Sequence, residues 1–220
     1  MGLYGIKCIL RDTLQYLGSD RLNEVLRNIK SRRSIRKYRS EQIKDEELEM
    51  ILESAIYAPT GGNDQPWYFT VIQNKELIDE MSAESKKVMA NAPIDWMAQM
   101  GKSEHYHVLF HAPTVVVVSG KEDATSPLPD CCAAIQNMLL AAESIDIGSC
   151  WIGLARFFFE NPKNIEKLKI PKGYKPYYAV SLGYKAVKIS NFDASKSWIS
   201  NGSTNNKAPE RNKDVVNYIK

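Results

Sequence analysis

Three guanidinium groups and a hydroxyl fall within five residues, Arg32-Arg33-Ser34-Ile35-Arg36. Arginine presents a planar fork of donors that matches a phosphate, and serine adds one more donor. In extended chain successive side chains alternate, so Arg32, Ser34 and Arg36 share one side and Arg33 points to the other. The pattern suits the phosphate of a bound cofactor. It also suits a solvated basic turn or a nucleic-acid footprint. A second candidate is the run Ala58-Pro59-Thr60-Gly61-Gly62-Asn63-Asp64-Gln65-Pro66-Trp67. Its backbone N–H groups, hydroxyl, amides and aromatic ring offer the edge and faces that a planar heterocycle needs. The same run reads equally as a plain helix-to-strand connection with Trp67 in the core. The third is His105-x-His107-x3-His111. The strong zinc spacings are absent and Glu104 is the only acidic or thiol side chain at supporting distance, so no metal site is assigned.

These groups need elements to hold them. Leu22, Val25, Leu26 and Ile29 stand at helical spacing, which predicts a helix over 21–30 ending at the basic cluster. Asp45 is placed to cap a helix reaching about Tyr57, with Leu48, Ile51, Leu52, Ala55 and Ile56 on one face. Trp67–Gln73 reads as a strand buried on both faces, and Thr114–Val118 as a central strand. Helices are expected over 75–90, 130–146 and 162–169, with Gly148 ending the second. That second helix is apolar on most sides, which calls for burial, in part against another copy of itself. Ser149–Gly153 reads as a short strand or extended turn, Tyr177–Tyr184 as a strand, and residues 91–112 as irregular or weakly helical. Helices and strands in this order give a central sheet covered on both faces.

A chain of 220 residues, 44% hydrophobic and 25% charged, fits one globular domain. Its 29 basic and 26 acidic residues leave a net charge of +3, too mild for a nucleic-acid binder. No apolar run approaches the ~20 residues of a membrane span. Lys7 and Arg11 interrupt the apolar start, which argues against a signal peptide. Cys8, Cys131, Cys132 and Cys150 form no CxxC pair, so the expected setting is a reducing cytoplasm.

Taken together, Arg-Arg-Ser-x-Arg and, some two dozen residues on, Ala-Pro-Thr-Gly-Gly-Asn-x-Gln-Pro-Trp resemble the flavin-dependent nitroreductase family. The helix 130–146 with Gly148-Ser149-Cys150-Trp151-Ile152-Gly153, then Leu182-Gly183-Tyr184 and Ala208-Pro209-Glu210-Arg211, are similar to later family features. The resemblance implies an α+β, three-layer α-β-α sandwich whose mixed, largely antiparallel sheet is flanked by helices, in an intertwined homodimer. Ahead of the part it covers, Leu3, Ile6, Ile9 and Leu10 give one apolar helix face, the basis for expecting a helical extension over 1–19. The resemblance covers about residues 20–220 and implies an FMN-binding domain over 20–189 and an arm over 190–220 completing the site. By it, Arg32, Ser34 and Arg211 hold the FMN phosphate with Arg33 nearby, and Arg36 meets the N1–C2=O edge of the ring. Pro59, Thr60, Asn63 and Gln65 come from the other subunit, and Ile152 and Gly153 present backbone to the N5–C4=O side. The implied activity is ping-pong: NADH or NADPH gives hydride to flavin N5, and a small acceptor, a nitroaromatic or a quinone, then takes it. Thr60 stands where Ser is commoner, keeping the hydroxyl. Within the same resemblance lie a reductive dehalogenase or a flavin-cleaving enzyme; outside enzymes lie a flavin carrier or a partner-binding scaffold.

Overall fold

The computed structural model describes residues 23–186 and Val215. The 1–19 extension, the 190–208 arm and Arg211 lie outside the described residues.

The central strand is the one the valines announce. β2, Thr114–Lys121, sends Val115 and Val117 into one core cluster and Val116 and Val118 into another. A strand apolar on both sides must have helices on both faces. Around it stand β1 (Trp67–Ile72), β4 (Tyr174–Tyr184) and β3 (Ile147–Ile152), in the order β1-β2-β4-β3. All three strand pairings are antiparallel. The one parallel element among the described residues is a bridge between Ser34 and Ser149.

On one face pack α2 (Asp45–Ile56) and α5 (Pro127–Ser144), through Ile51, Ala55, Ile135 and Met138. On the other lie α3 (Lys75–Met89), α4 (Asp95–Lys102) and a 3₁₀ segment, Gly153–Glu160, through Met81, Met89, Met97 and Phe158. The result is a three-layer α-β-α sandwich. α6 (Pro162–Lys167) leads into β4. α1, Glu24–Ser31, packs on α5 through the Asn28 amide, which donates to Leu140 O at 2.8 Å.

Local chemistry moved several boundaries. α2 has Lys44 at its N-cap, not Asp45; the Glu47 carboxylate accepts the Lys44 N–H at 2.9 Å, and Asp45 becomes the first helical residue. α5 starts three residues earlier than its apolar run, because Pro127 fits the first turn of a helix. Gly148 does not stop that helix. It sits inside β3, where a Cβ would lie 2.9 Å from Ile35 Cγ2. β1 is not buried on both faces: it ends the described sheet, with Tyr68 and Val71 exposed.

Candidate active site

The basic cluster follows α1 as extended chain stitched to the sheet. Ile35 N–H donates to Ser149 O at 2.9 Å, Arg39 N–H to Tyr184 O at 3.0 Å, and Ala186 N–H to Lys37 O at 3.1 Å. The hydroxyl of the half-buried Tyr38 donates to Ile35 O at 2.5 Å, and desolvation raises its pKa well above the usual phenol value. The alternation expected of extended chain holds. Arg33 turns back, its Nη1 donating to the carbonyls of Lys30, Ser31 and Arg32 at 2.6, 2.9 and 2.9 Å, where it caps the negative end of α1. On the opposite side the Cys150 thiol is the shared neighbour. Burial raises its pKa, while the Arg36 charge, a hydrogen bond with Ser34 and the Arg32 charge pull it down. Arg32, Ser34 and Arg36 thus all act on this one thiol, and Arg36 Nη1 also reaches Ser34 O at 3.4 Å.

Arg36 is exposed and lies over the Phe110 ring at 5.6 Å. Tyr106 meets Phe110 edge-on, with centroids 6.1 Å apart. Burial pushes the Tyr106 hydroxyl up to about 12 against the opposing influence of Arg36. Beyond Cys150, Ile152 is buried and ends β3, while Gly153 is exposed, with open space where a Cβ would stand. A flat ring meets no side chain at Gly153 and can approach its backbone.

The second motif forms a separate shelf. Gly61 N–H donates to the buried Asp130 carboxylate at 3.2 Å, and Thr125 N–H donates to Asp64 Oδ2 at 2.7 Å, which fastens the loop to the start of α5. Gly62, Asn63 and Gln65 take positive φ, 61°, 59° and 45°. Gln65 N–H reaches Thr60 Oγ1 at 3.4 Å, and its Nε2 donates to Asn63 Oδ1 at 3.2 Å. Pro59, Asn63 and Gln65 are exposed and Thr60 is half-buried. Within one chain the shelf and the arginine cluster do not meet. The shelf is tied to α5 at Asp130, and the helix that leads into the cluster is tied to it at Leu140, ten residues on, about 15 Å along the axis.

The histidine motif acquires a partner that sequence spacing could not show. Asp79 of α3, His107 and His111 offer ligand atoms that all lie within 4.8 Å of one another. Yet His107 Nδ1 accepts N–H groups from Leu109 at 3.2 Å and His111 at 3.1 Å. A neutral ring so placed carries its proton on Nε2, the atom facing Asp79 at 3.3 Å, and so has no lone pair there for a cation. The trio is not a ready ligand set.

The three layers, with an antiparallel sheet between helices, define an α+β sandwich. Residues 29–184 match the model of the Nitroreductase family, and the chain belongs to that family. A solved structure of a nitroreductase with bound FMN from Bacteroides fragilis is 36% identical, with TM-score 0.70, covering 82% of this chain and all of that one. Another nitroreductase with bound FMN, from Desulfitobacterium hafniense, is 29% identical, with TM-score 0.73, covering 90% of this chain and all of that one. A protein of Archaeoglobus fulgidus named "Putative NADH dehydrogenase/NAD(P)H nitroreductase" is 34% identical over 169 residues, 74% of this chain and 86% of its own.

Proposed function

We propose that this chain is an FMN-dependent NAD(P)H oxidoreductase that acts as a homodimer on small acceptors of the nitroaromatic or quinone type. The observation that carries the reading is that Arg32, Ser34 and Arg36 all act on the Cys150 thiol, where Ser34 bridges to Ser149 of β3 and Arg36 Nη1 reaches Ser34 O, while Arg33 turns back onto α1. Two guanidinium groups and a hydroxyl on one side of a short strand are the donor set for a phosphate and for the electron-rich edge of a flavin. The open backbone at Gly153 leaves room for the ring. The residues present therefore fit FMN. Bound there, FMN supplies a two-electron carrier between NAD(P)H and the acceptor.

The chain's own groups have distinct tasks. Arg32 and Ser34, joined by Arg211 from beyond the described residues, hold the phosphate. Arg33 acts indirectly, by fixing the turn out of α1. Arg36 places positive charge where negative charge develops on the ring, which favours reduction. The backbone of Ile152 and Gly153 faces the reactive edge and orients it. Pro59, Thr60, Asn63 and Gln65 serve the site of the other copy.

Support for two copies comes from the surface. Among the described residues α1 buries none of its own, and Val25, Leu26 and Ile29 are exposed. A groove of about 350 Å³ continues from it past Tyr57, Leu140 and Ala141. An unpartnered apolar face of this size calls for a partner, and a second copy also supplies the missing shelf.

The test is the visible spectrum of the purified protein, mass analysis of what heat releases, and NAD(P)H oxidation with menadione or a nitroaromatic. A yellow protein that releases FMN and turns over both substrates is expected. A colourless protein that takes up no added FMN overturns the proposal.

A further inference from the structure

We infer that His107 is a positioning residue, whose Nδ1 gathers two backbone N–H groups and so fixes the turn that presents Phe110 to Arg36. The inference rests on the flavin reading of Arg36 for its functional consequence, and on geometry alone for the clamp.

The turn 107–111 has no obvious reason to hold its shape. Phe110 and His111 both take positive φ, 56° and 51°, and neither is glycine. L-residues adopt this region in succession only when their surroundings impose it. The imposition is visible. Leu109 N–H and His111 N–H converge on His107 Nδ1, and Phe110 N–H donates to His107 O at 3.0 Å. The flanks are tied as well: Val108 N–H donates to the buried Ser82 hydroxyl at 2.9 Å, and the Ser181 hydroxyl donates to Leu109 O at 3.1 Å. The His111 ring lies against the His107 ring with centroids 3.9 Å apart.

Nδ1 can receive these donors only while it is unprotonated. The ring proton therefore sits on Nε2, toward Asp79, which is itself ion-paired to Lys75. The product of this arrangement is the Phe110 ring under the Arg36 guanidinium, with Tyr106 against its edge. An exposed arginine loses rotamer freedom when it meets a charge on a ligand. A ring that already holds the guanidinium reduces that loss. His107 touches neither Arg36 nor, on this reading, the flavin; it acts through Phe110.

Two measurements decide the matter. Long-range proton–nitrogen NMR of the ring reads the tautomer of the wild-type protein with or without flavin. Nε2 protonated and Nδ1 bare, with slow amide exchange at Leu109 and His111, is expected; a proton on Nδ1, or fast exchange at those amides, overturns the clamp. The second measurement compares variants by FMN retention and midpoint potential. His107→Leu removes the acceptor, and FMN should be held roughly fivefold less tightly, at a lower potential. His107→Asn, whose Oδ1 can accept the same N–H groups, should restore most of both. Phe110→Leu, which leaves the clamp intact and removes the ring, should reproduce the loss. If His107→Leu does not fold, His107→Asn and Phe110→Leu still carry the comparison. A potential unchanged in Phe110→Leu, or no rescue by asparagine, overturns the link to Arg36. A wild-type protein that binds no FMN defeats the flavin reading, and the NMR result alone then upholds or overturns the clamp.

Discussion

Arg32 and Arg36 both act on the Cys150 thiol, yet in the proposed flavin site their expected effects differ in kind. Arg32→Ala removes a charge-assisted pair to phosphate and should weaken FMN retention by about ten- to a hundredfold, as such bonds contribute about 1.5–3 kcal/mol. Its thermal unfolding should stay near wild type; equal retention in equilibrium dialysis would count against the phosphate role. Arg36→Ala should leave FMN bound but harder to reduce, because the positive charge that offsets the developing negative charge is gone. Spectroelectrochemistry reads this directly, and an unchanged potential removes Arg36 from the ring edge. The alternation of Arg32, Ser34 and Arg36 against Arg33 was legible in the sequence, because extended chain admits no other arrangement. That Arg33 would spend its donors on its own helix end was not, since nothing local distinguishes one arginine from the next. Asp79 was invisible for a plainer reason: it lies 28 positions before His107 and meets it only through the packing of α3.

Elements explain why the two motifs are rigid. The buried Asp130 carboxylate accepts from Gly61 and anchors the 59–65 shelf to α5. Asp130→Ala should cost about 1–3 kcal/mol in urea unfolding, from losing the hydrogen bond between its carboxylate and the half-buried Gly61 N–H. Gly148→Ala drives a methyl against Ile35 and should separate the arginine strand from β3, at a cost of about 1–3 kcal/mol in the same assay. A Gly148→Ala protein as stable as wild type would show that the close approach is unimportant. Gly148 illustrates how sequence reading slips: after an apolar helical run a glycine looks like a stop signal, whereas its real constraint comes from Ile35, far away in the chain. β2 was legible from its unbroken valine run, and the helix over Asp45–Ile56 from apolar residues at helical spacing. The 3₁₀ segment Gly153–Glu160 was missed, as its consecutive aromatics follow no period that marks a helix.

For the whole molecule, acid should be destabilising through His107. Burial, reinforced by His111, lowers its pKa to about 4 from 6.5, against the opposing pull of Asp79. Lys86 also faces it and lowers it further. Below pH 6.5 the unfolded chain binds a proton that the folded chain refuses, so stability falls as pH drops from about 6.5 to about 4 and then levels off. The total is about 3 kcal/mol. Urea midpoints across that range check it, and a slope that persists in His107→Asn would assign the effect elsewhere. On the outer surface, Ile29→Glu puts charge into the exposed face of α1 and should yield single copies in sedimentation, with FMN lost at the same time. A single helix, α5, fastens the shelf near its first turn and the arginine-bearing arm near its last. In a paired molecule that helix is a ruler. Its 18 residues set how far each copy's contribution lies from its own strand, and so which neighbour it can serve. Lengthening it by one turn would move those two fastenings about 5.4 Å further apart and pull Ile135 and Met138 off their seats on α2, so shelf and arginine strand would fall out of step together.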